Sequence, residues 1–316
     1  MEQTKKAKAK IKQNVTKNYK QENESEMSNR SRLPVLKTYK LYIDGKFPRS
    51  ESGRFYKLQS DKNDLVANIC RASKKDFRNA VVSARNAQTG WSLRSAYNKS
   101  QILYRIAETL EGRRSQFCDS LTTYKEVSKQ KATNEFNIAV DRLVYFAGWC
   151  DKYQQVFSSV NPVESSHFNF SFPEPTGVVS AIAPENFGLL GLVSIIAPVI
   201  AGGNSIIVLA SENYPHTAIE FAEVLNASDL PNGVVNILTG FVDELHDPFS
   251  QHMDVNATAY CGSNKLVLEN IRMNAAENVK RIVHFHSDNW FDENINSPYK
   301  IMDFQEIKTT WHPIGN

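Results

Sequence analysis

Cysteine is scarce in this chain, and the few residues present are scattered. Four cysteines stand at positions 70, 118, 150 and 261 of the 316 residues, and no two of them have a CxxC spacing. The spacing therefore indicates neither a disulfide framework nor a zinc knuckle. Such usage suits a reducing compartment, so we expect a cytoplasmic location.

Long apolar runs are missing as well. The longest run, residues 189–201, contains Ser194 and is shorter than the roughly 20 apolar residues that a membrane-spanning helix needs. The charged N-terminus is not followed by an apolar segment, so no signal peptide is indicated. With 41% apolar side chains, the chain is predicted to form a soluble, globular protein without a membrane partner.

The first 34 residues have almost no apolar side chains and no periodicity. They carry nine Lys and Arg against four Glu, a net of +5, whereas the remainder carries 28 basic and 30 acidic residues, a net of −2. Because such a segment cannot offset the entropy of ordering, residues 1–34 are predicted to be a disordered basic tail. A basic tail could contact nucleic acid, but charge runs are usually solvated, and nucleic acid is not the expected partner.

Strand-like patterns open the folded region, and helical patterns follow them up to residue 157. Residues 37–47 alternate around Leu41 and contain Asp44-Gly45, a hairpin signal that predicts a small sheet. Apolar residues then recur at helical spacing in three stretches. These are residues 74–88 with Ser73 as a helix cap, residues 95–117 with a break near Gly112, and residues 131–157.

From residue 177 the pattern changes to strand, helix, strand. Five short apolar segments alternate with helices, which implies right-handed crossovers and a parallel sheet covered on both faces. We therefore predict an α/β fold: a Rossmann-like open parallel sheet with a helical layer and a small β arm near 38–58 and 166–174. Ligands of such sheets bind at the carboxyl ends of the strands. The predicted strands are 177–183, 205–210, 234–239, 256–260 and 280–286, with helices near 189–201, 215–226, 243–250 and 263–278.

Several short blocks in this half of the chain carry a family resemblance. They are Gly177-Val178-Val179, Pro184-Glu185-Asn186-Phe187, Ala201-Gly202-Gly203-Asn204, Leu230-Pro231-Asn232-Gly233, Gly240-Phe241 and Tyr260-Cys261-Gly262-Ser263. In this order they resemble the cofactor-binding half of the NAD(P)-dependent aldehyde dehydrogenase superfamily, from about residue 38 to about residue 290. The resemblance implies a cofactor-binding domain over 35–300, followed by a C-terminal tail over 301–316.

Four residues match family site positions. Asn186 matches the amide that helps to hold the oxyanion of the attacked aldehyde, although an Asn that bonds neighbouring backbone is the favoured interpretation. Glu212 matches the carboxylate that bonds the adenosine ribose. Gly262 and Ser263 match the pyrophosphate loop at a helix N-terminus, where Ser263 could instead be only a helix cap.

Other positions depart from the family pattern around the implied NAD(P) site. Leu209 replaces the usual lysine, and Val267 replaces a glycine of the phosphate loop. Glu185 stands in place of a tryptophan close to the implied pyrophosphate, and like charges at that distance repel. NAD(P) is the cofactor that the resemblance implies, and these three positions weigh against its binding.

The segment that matches the catalytic strand departs most. Phe285 stands in place of the general-base glutamate, and Ser287-Asp288 replaces a glycine pair. No cysteine follows Cys261, whereas aldehyde oxidation in the family requires a cysteine nucleophile. His284 and His286 could act as a base or hold a metal, but without a third ligand we expect no metal site.

The alternating segment 166–173 predicts a strand with an aromatic face formed by Phe168, Phe170 and Phe172. The matching family strand belongs to a bridging arm that pairs with the catalytic domain of a neighbouring subunit. We expect no partner strand for it within this chain. Another chain is therefore predicted to cover this edge.

Two functions remain open on the sequence. The first is a non-catalytic subunit or scaffold, similar to the degenerate second half of double-length aldehyde dehydrogenases, in a homo-oligomer or a hetero-oligomer with an active aldehyde dehydrogenase chain. The second is an NAD(P)-dependent oxidoreductase of aldehydes that uses unrecognised residues or a site completed in trans. The lost base and nucleophile favour the first function, because removal of either commonly abolishes most of the rate.

Overall fold

The strands follow the predicted positions closely. The computed structural model describes residues 35–61, 65–124, 127–285, 287 and 289–315, so the predicted tail 1–34 lies outside the described residues. In chain order the strands are β1 (Lys37–Tyr39), β2 (Phe55–Gln59), β3 (Leu65–Cys70), β4 (Ser159–Asn161), β5 (His167–Pro175), β6 (Val178–Ile182), β7 (Ser205–Leu209), β8 (Val235–Leu238), β9 (Ala257–Tyr260), β10 (Arg281–His284) and β11 (Gln305–Pro313).

Two expected helix boundaries are present, whereas the first helix runs beyond residue 88 to Ser92 and the predicted stretch 131–157 forms two helices. Ser73 caps the first helix and forms a capping box with Asp76, and the break near Gly112 separates the second helix from the third. The helices are α1 (Lys74–Ser92), α2 (Ala96–Glu111), α3 (Arg114–Tyr124), α4 (Lys129–Trp149), α5 (Tyr153–Phe157), α6 (Leu190–Ala201), α7 (Pro215–Asn226), α8 (Val242–Gln251), α9 (Lys265–Ala276) and α10 (Tyr299–Met302), with a 3₁₀ turn at Glu293–Ile295.

The main sheet has the strand order β10-β9-β6-β7-β8, and all its pairs are parallel. Alternate residues of β6 enter two different cores. Val179 and Ala181 pack in one core with α2, α4 and α6, whereas Val178 and Ile182 pack in the other with α1, α8 and α9. Every residue of α6 is buried, as expected for a helix covered on all sides. The predicted Rossmann-like parallel sheet with helical layers is confirmed.

A small N-terminal sheet has the order β1-β3-β2. The predicted hairpin turn is present: Ile43 and Lys46 exchange backbone hydrogen bonds of 3.0 Å, and Asp44 and Gly45 have φ angles of 56° and 67°. Positive φ at both central residues is the geometry that an Asp-Gly turn provides. Tyr42 next to the turn bridges to Ile237 and thereby covers the β8 edge of the main sheet.

The arm strand β5 has a partner strand within the chain, so the expectation of an unpaired edge is wrong. It pairs antiparallel with β11 along its whole length, from Gln305 opposite Pro175 to Pro313 opposite His167. Residues 301–316, expected to be a tail, thus contain the whole of the nine-residue strand β11. Local patterns could not reveal this pairing, because the two strands lie more than a hundred residues apart and no turn signal joins them.

None of the helices in the described part of the chain is both long and apolar enough to cross a membrane.

Candidate cofactor cleft

A cleft lies at the carboxyl ends of β6 and β9, where the strand order reverses: β7 and β8 lie on one side of β6, and β9 and β10 lie on the other. This is the topological switch point at which parallel sheets bind ligands. The cavity has a volume of about 370 Å³. Three of the sequence-predicted site residues, Glu212, Gly262 and Ser263, line it together, whereas Asn186 does not.

Glu185 holds two loops of the cleft together. Its Oε2 accepts hydrogen bonds from Ser211 Oγ at 2.9 Å, from the backbone N–H of Asn213 at 3.2 Å and from Asn213 Nδ2 at 3.3 Å. Burial raises the pKa of Glu185, and the bond from Ser211 opposes that shift. The side chain therefore does not turn out to solvent but joins the loop after β6 to the loop after β7.

Asn186, the next residue, is exposed, and its side chain makes no hydrogen bond to the other described residues. The favoured interpretation, in which Asn186 holds the loop by bonding neighbouring backbone, is therefore wrong. Glu185 has that structural role because its longer side chain reaches the neighbouring strand's loop. The vestigial oxyanion role of Asn186 stays a prediction.

Glu212 is bonded to the chain itself. Its Oε1 accepts a 2.7 Å hydrogen bond from the backbone N–H of Val242, the first residue of α8. A carboxylate at a helix N-terminus is stabilised by the free N–H groups and by the helix dipole. Asp243 follows in the first turn of α8, so three carboxylates, including Glu185, line the cavity.

The N-terminus of α9 is capped by Asn264, and the interpretation of Ser263 as the helix cap is wrong. Asn264 Oδ1 accepts from the backbone N–H of Leu266 at 3.0 Å and of Val267 at 3.5 Å. Its own N–H donates to the Tyr260 hydroxyl at 3.2 Å. Asn264 takes this place because it is the extended residue directly before the first helical turn, whereas Ser263 lies one position too early.

Gly262 is required by the ring of Tyr260. A Cβ at position 262 would lie 2.5 Å from the Tyr260 hydroxyl oxygen and 2.7 Å from Cζ. The glycine thus makes room for a side chain of this protein. Val267, which replaces a family glycine further along the loop, is almost fully buried.

Leu209 lies in the core on the α1, α8 and α9 side of the sheet and is 0% exposed. A packed apolar side chain therefore stands where the sequence resemblance implies a lysine. Of the described residues that line the cavity, none is a Lys or an Arg.

Phe285, which the sequence resemblance matches to the family's general base, is 3% exposed. Its N–H donates to the carbonyl of Tyr260 at 3.0 Å and continues the β9–β10 pairing. Its ring centroid lies 5.3 Å from that of Trp290, and the Lys300 ammonium lies 4.2 Å from the ring. The position is part of the core.

The structure describes two of the remaining candidate groups of this region, His284 and Cys261. His284 is exposed, with Nε2 3.2 Å from the carbonyl oxygen of Gly262, and its ring stacks on Tyr260. Cys261 is wholly buried, and burial raises the pKa of its thiol far above the usual value. His286 and Asp288 lie outside the described residues. Among the described residues no three His, Cys, Asp or Glu side chains are grouped to hold a metal.

Two buried charged residues were missed by the sequence analysis. Arg142 on α4 donates to Asn296 Oδ1 at 2.7 Å and to the Trp290 carbonyl at 3.2 Å, and burial lowers its pKa to about 10. Glu135, also on α4, accepts from the N–H groups of Leu189 at 3.0 Å and Leu190 at 3.2 Å. Their placement on the apolar face of an amphipathic helix was the available signal.

Comparison with known proteins agrees with this architecture. The profile described as "Aldehyde dehydrogenase family" matches residues 47–284. The chain therefore belongs to the aldehyde dehydrogenase family.

Its relatives are longer enzymes. The mitochondrial benzaldehyde dehydrogenase of Antirrhinum majus is 31% identical over 261 residues, which cover 79% of this chain and 47% of that protein. The cytosolic 10-formyltetrahydrofolate dehydrogenase of Mus musculus is 27% identical over 260 residues, covering 79% and 28%. An NAD+ complex of an aldehyde dehydrogenase from Bacillus cereus superposes with a TM-score of 0.74 at 26% identity, covering 78% and 50%. The chain thus spans about half the length, or less, of these relatives.

Proposed function

We propose that this chain is a non-catalytic member of the aldehyde dehydrogenase family that acts as a subunit or scaffold for an active aldehyde dehydrogenase chain. The observation that carries the proposal is the burial of Phe285 at the family's general-base position, packed against Trp290.

The chemistry of the described residues supports the proposal that this chain does not catalyse aldehyde oxidation. A general base must exchange a proton, and the side chain of Phe285 has none to exchange. A thiol nucleophile must ionise, and burial of Cys261 opposes its ionisation. Within the described part of the cleft, neither step of an aldehyde oxidation has a residue placed to perform it.

The aromatic face of the arm supports the role in assembly. We call the surface formed by Val160, Phe168, Phe170 and Phe172 the aromatic face. Successive phenylalanine ring centroids lie 5.5 and 5.8 Å apart, and a groove of about 350 Å³ runs beside them. Val160 is 67% exposed and Phe168 44% exposed. Although β11 pairs with the edge of β5, it leaves this face open.

A contiguous apolar face of this kind is typical of a protein interface. The family resemblance assigns the arm to contact with a neighbouring subunit. The occupant that we propose is therefore the surface of an active aldehyde dehydrogenase chain.

The test is to purify the chain alone and with its native partners, and to measure aldehyde-dependent NADH formation in both samples. We expect no turnover from the isolated chain and co-purification with an active aldehyde dehydrogenase. Turnover by the isolated chain would overturn the proposal. An Asn186→Ala variant that lowers the turnover of the complex would favour the alternative, an oxidoreductase site completed in trans, because Asn186 is exposed beside the cleft.

A further inference from the structure

We infer that the cleft is closed to NAD(P), because side-chain oxygens of this chain occupy backbone donors at helix N-termini of this region and because carboxylates line the cavity. The inference goes beyond the proposed assembly role, since a non-catalytic subunit could still bind a dinucleotide. It rests on the hydrogen bonds at three helix N-termini and on the charges that line the cavity.

Helix N-termini bind phosphates through N–H groups that have no partner inside the helix. At α9, the helix beside the cavity, Asn264 Oδ1 accepts from the N–H groups of Leu266 and Val267, and the N–H of Asn264 donates to Tyr260. An incoming phosphate would have to displace both of these internal acceptors. The free energy gained on phosphate binding would be reduced by the cost of breaking these hydrogen bonds.

The neighbouring helices have the same arrangement. Glu212 Oε1 accepts from the N–H of Val242 at the start of α8. Glu135 Oε1, inside the protein, accepts from the N–H groups of Leu189 and Leu190 at the start of α6. These two acceptors are carboxylates, so they also supply the negative charge that a helix N-terminus attracts.

The hydrogen-bond donors of the loop after β7 are occupied as well, by Glu185 from the loop after β6. Glu185 accepts from the Ser211 hydroxyl and from both the backbone and side-chain nitrogens of Asn213. Among the residues that the structure describes, the cavity lining includes the carboxylates of Glu185, Glu212 and Asp243 and no lysine or arginine. A pyrophosphate carries negative charge and offers acceptors, so the residues present do not fit it.

The experiment is calorimetric titration of the full chain with NAD+, NADP+ and AMP. For the wild-type chain we expect no saturable binding at millimolar ligand. Saturable binding of NAD+ or NADP+ would overturn the inference, while the assembly proposal would keep its own test by co-purification.

A double variant, Glu185→Gln with Asn264→Ala, removes one charge and frees the two α9 donors. We expect its affinity for NAD+ and AMP to rise about tenfold or more above the wild-type limit, as one recovered charge-assisted hydrogen bond allows. The matched control is Glu269→Gln, which removes an exposed charge from the same helix and should change nothing. An unchanged circular dichroism spectrum would show that the double variant is folded. If such a variant gains no affinity for NAD+ or AMP, the hydrogen bonds from the chain's own side chains are not what closes the cleft. Glu185→Gln alone preserves side-chain volume and serves as the second variant, with a smaller gain expected.

Discussion

The carbonyl of Trp290 accepts a hydrogen bond from the Arg142 guanidinium at 3.2 Å, and this bond fixes the segment whose indole covers Phe285. A buried cation on α4 therefore holds in place the segment whose Trp290 ring packs against Phe285, the residue matched to the family's general base. Arg142 is 0% exposed, and it donates hydrogen bonds to neutral oxygens of Ser194 on α6 and of residues 290, 292 and 296. Phe285 is thus held in the core by the packing around it.

Replacement of Phe285 by glutamate should not restore a base. The carboxylate would enter a core position between Trp290 and β9, so Phe285→Glu is expected to lower the free energy of unfolding by about 3 kcal/mol or more. Chemical denaturation measures the loss, and Phe55→Glu on an exposed strand position is the control, with a loss below about 1 kcal/mol. An equally stable Phe285→Glu protein would contradict the core role.

The Arg142 clamp can be tested by Arg142→Met. The substitution leaves Asn296 and the Trp290 carbonyl without their donor, so we expect a loss of about 3 kcal/mol in the free energy of unfolding and faster amide exchange over residues 290–296. Arg105→Met removes an exposed ion pair with Asp229 and should cost about 1 kcal/mol at most. Unchanged exchange over 290–296 would show that Arg142 does not hold this segment.

The two candidate N-cap residues of α9, Asn264 and Ser263, can be distinguished by substitution. Asn264→Ala should lower the free energy of unfolding by about 1 kcal/mol, because two N–H groups lose their acceptor. Ser263→Ala, one residue earlier, should change it by less than about 0.5 kcal/mol. Urea denaturation of both variants decides, and equal losses would refute the assignment of the cap to Asn264.

We expect the free energy of unfolding to increase with pH in the alkaline range, because the buried Lys280 loses its proton more readily in the folded chain. Its ammonium donates to the carbonyls of Ser250 at 2.6 Å and His252 at 3.0 Å, and burial lowers its pKa from 10.5 to about 8. Between these two values the unfolded chain binds the proton that the folded chain has lost, so stability increases by up to about 3 kcal/mol. Below pH 8 both states are protonated and this contribution vanishes. Denaturation curves of the wild type and Lys280→Met from pH 7 to 10.5 should differ in slope, and parallel pH profiles would exclude the effect.

The aromatic face should determine assembly. Phe168→Ser is expected to weaken the complex with the partner chain about tenfold or more, since central aromatic side chains dominate interface energetics. Phe55→Ser, at a similarly exposed phenylalanine on the N-terminal sheet, is the control and should leave the complex intact. Analytical ultracentrifugation of the complex measures the affinity of both variants for the partner chain. If Phe168→Ser binds the partner with wild-type affinity, the interface does not include the aromatic face.

Much of the fold could be predicted because its elements carry local patterns. The strand and helix periods after residue 177, the Ser73 cap and the break at Gly112 depend on residues within one or two turns of each other. The pairing of β5 with β11 could not be predicted in this way. Each strand shows only its own alternation, and their register exists only once distant parts of the chain meet.

For the cleft, the amino-acid sequence by itself determined which side chains are present: Phe285 without a proton to exchange, Leu209 without charge, and Glu185 where the family has an aromatic ring. Only the tertiary structure decided what those side chains do. Glu185 bonds Ser211 across 26 positions, Glu135 reaches Leu189 across 54, and Arg142 reaches Trp290 across 148. A hydrogen bond depends on distance and direction in space, and neither can be read from spacing along the chain.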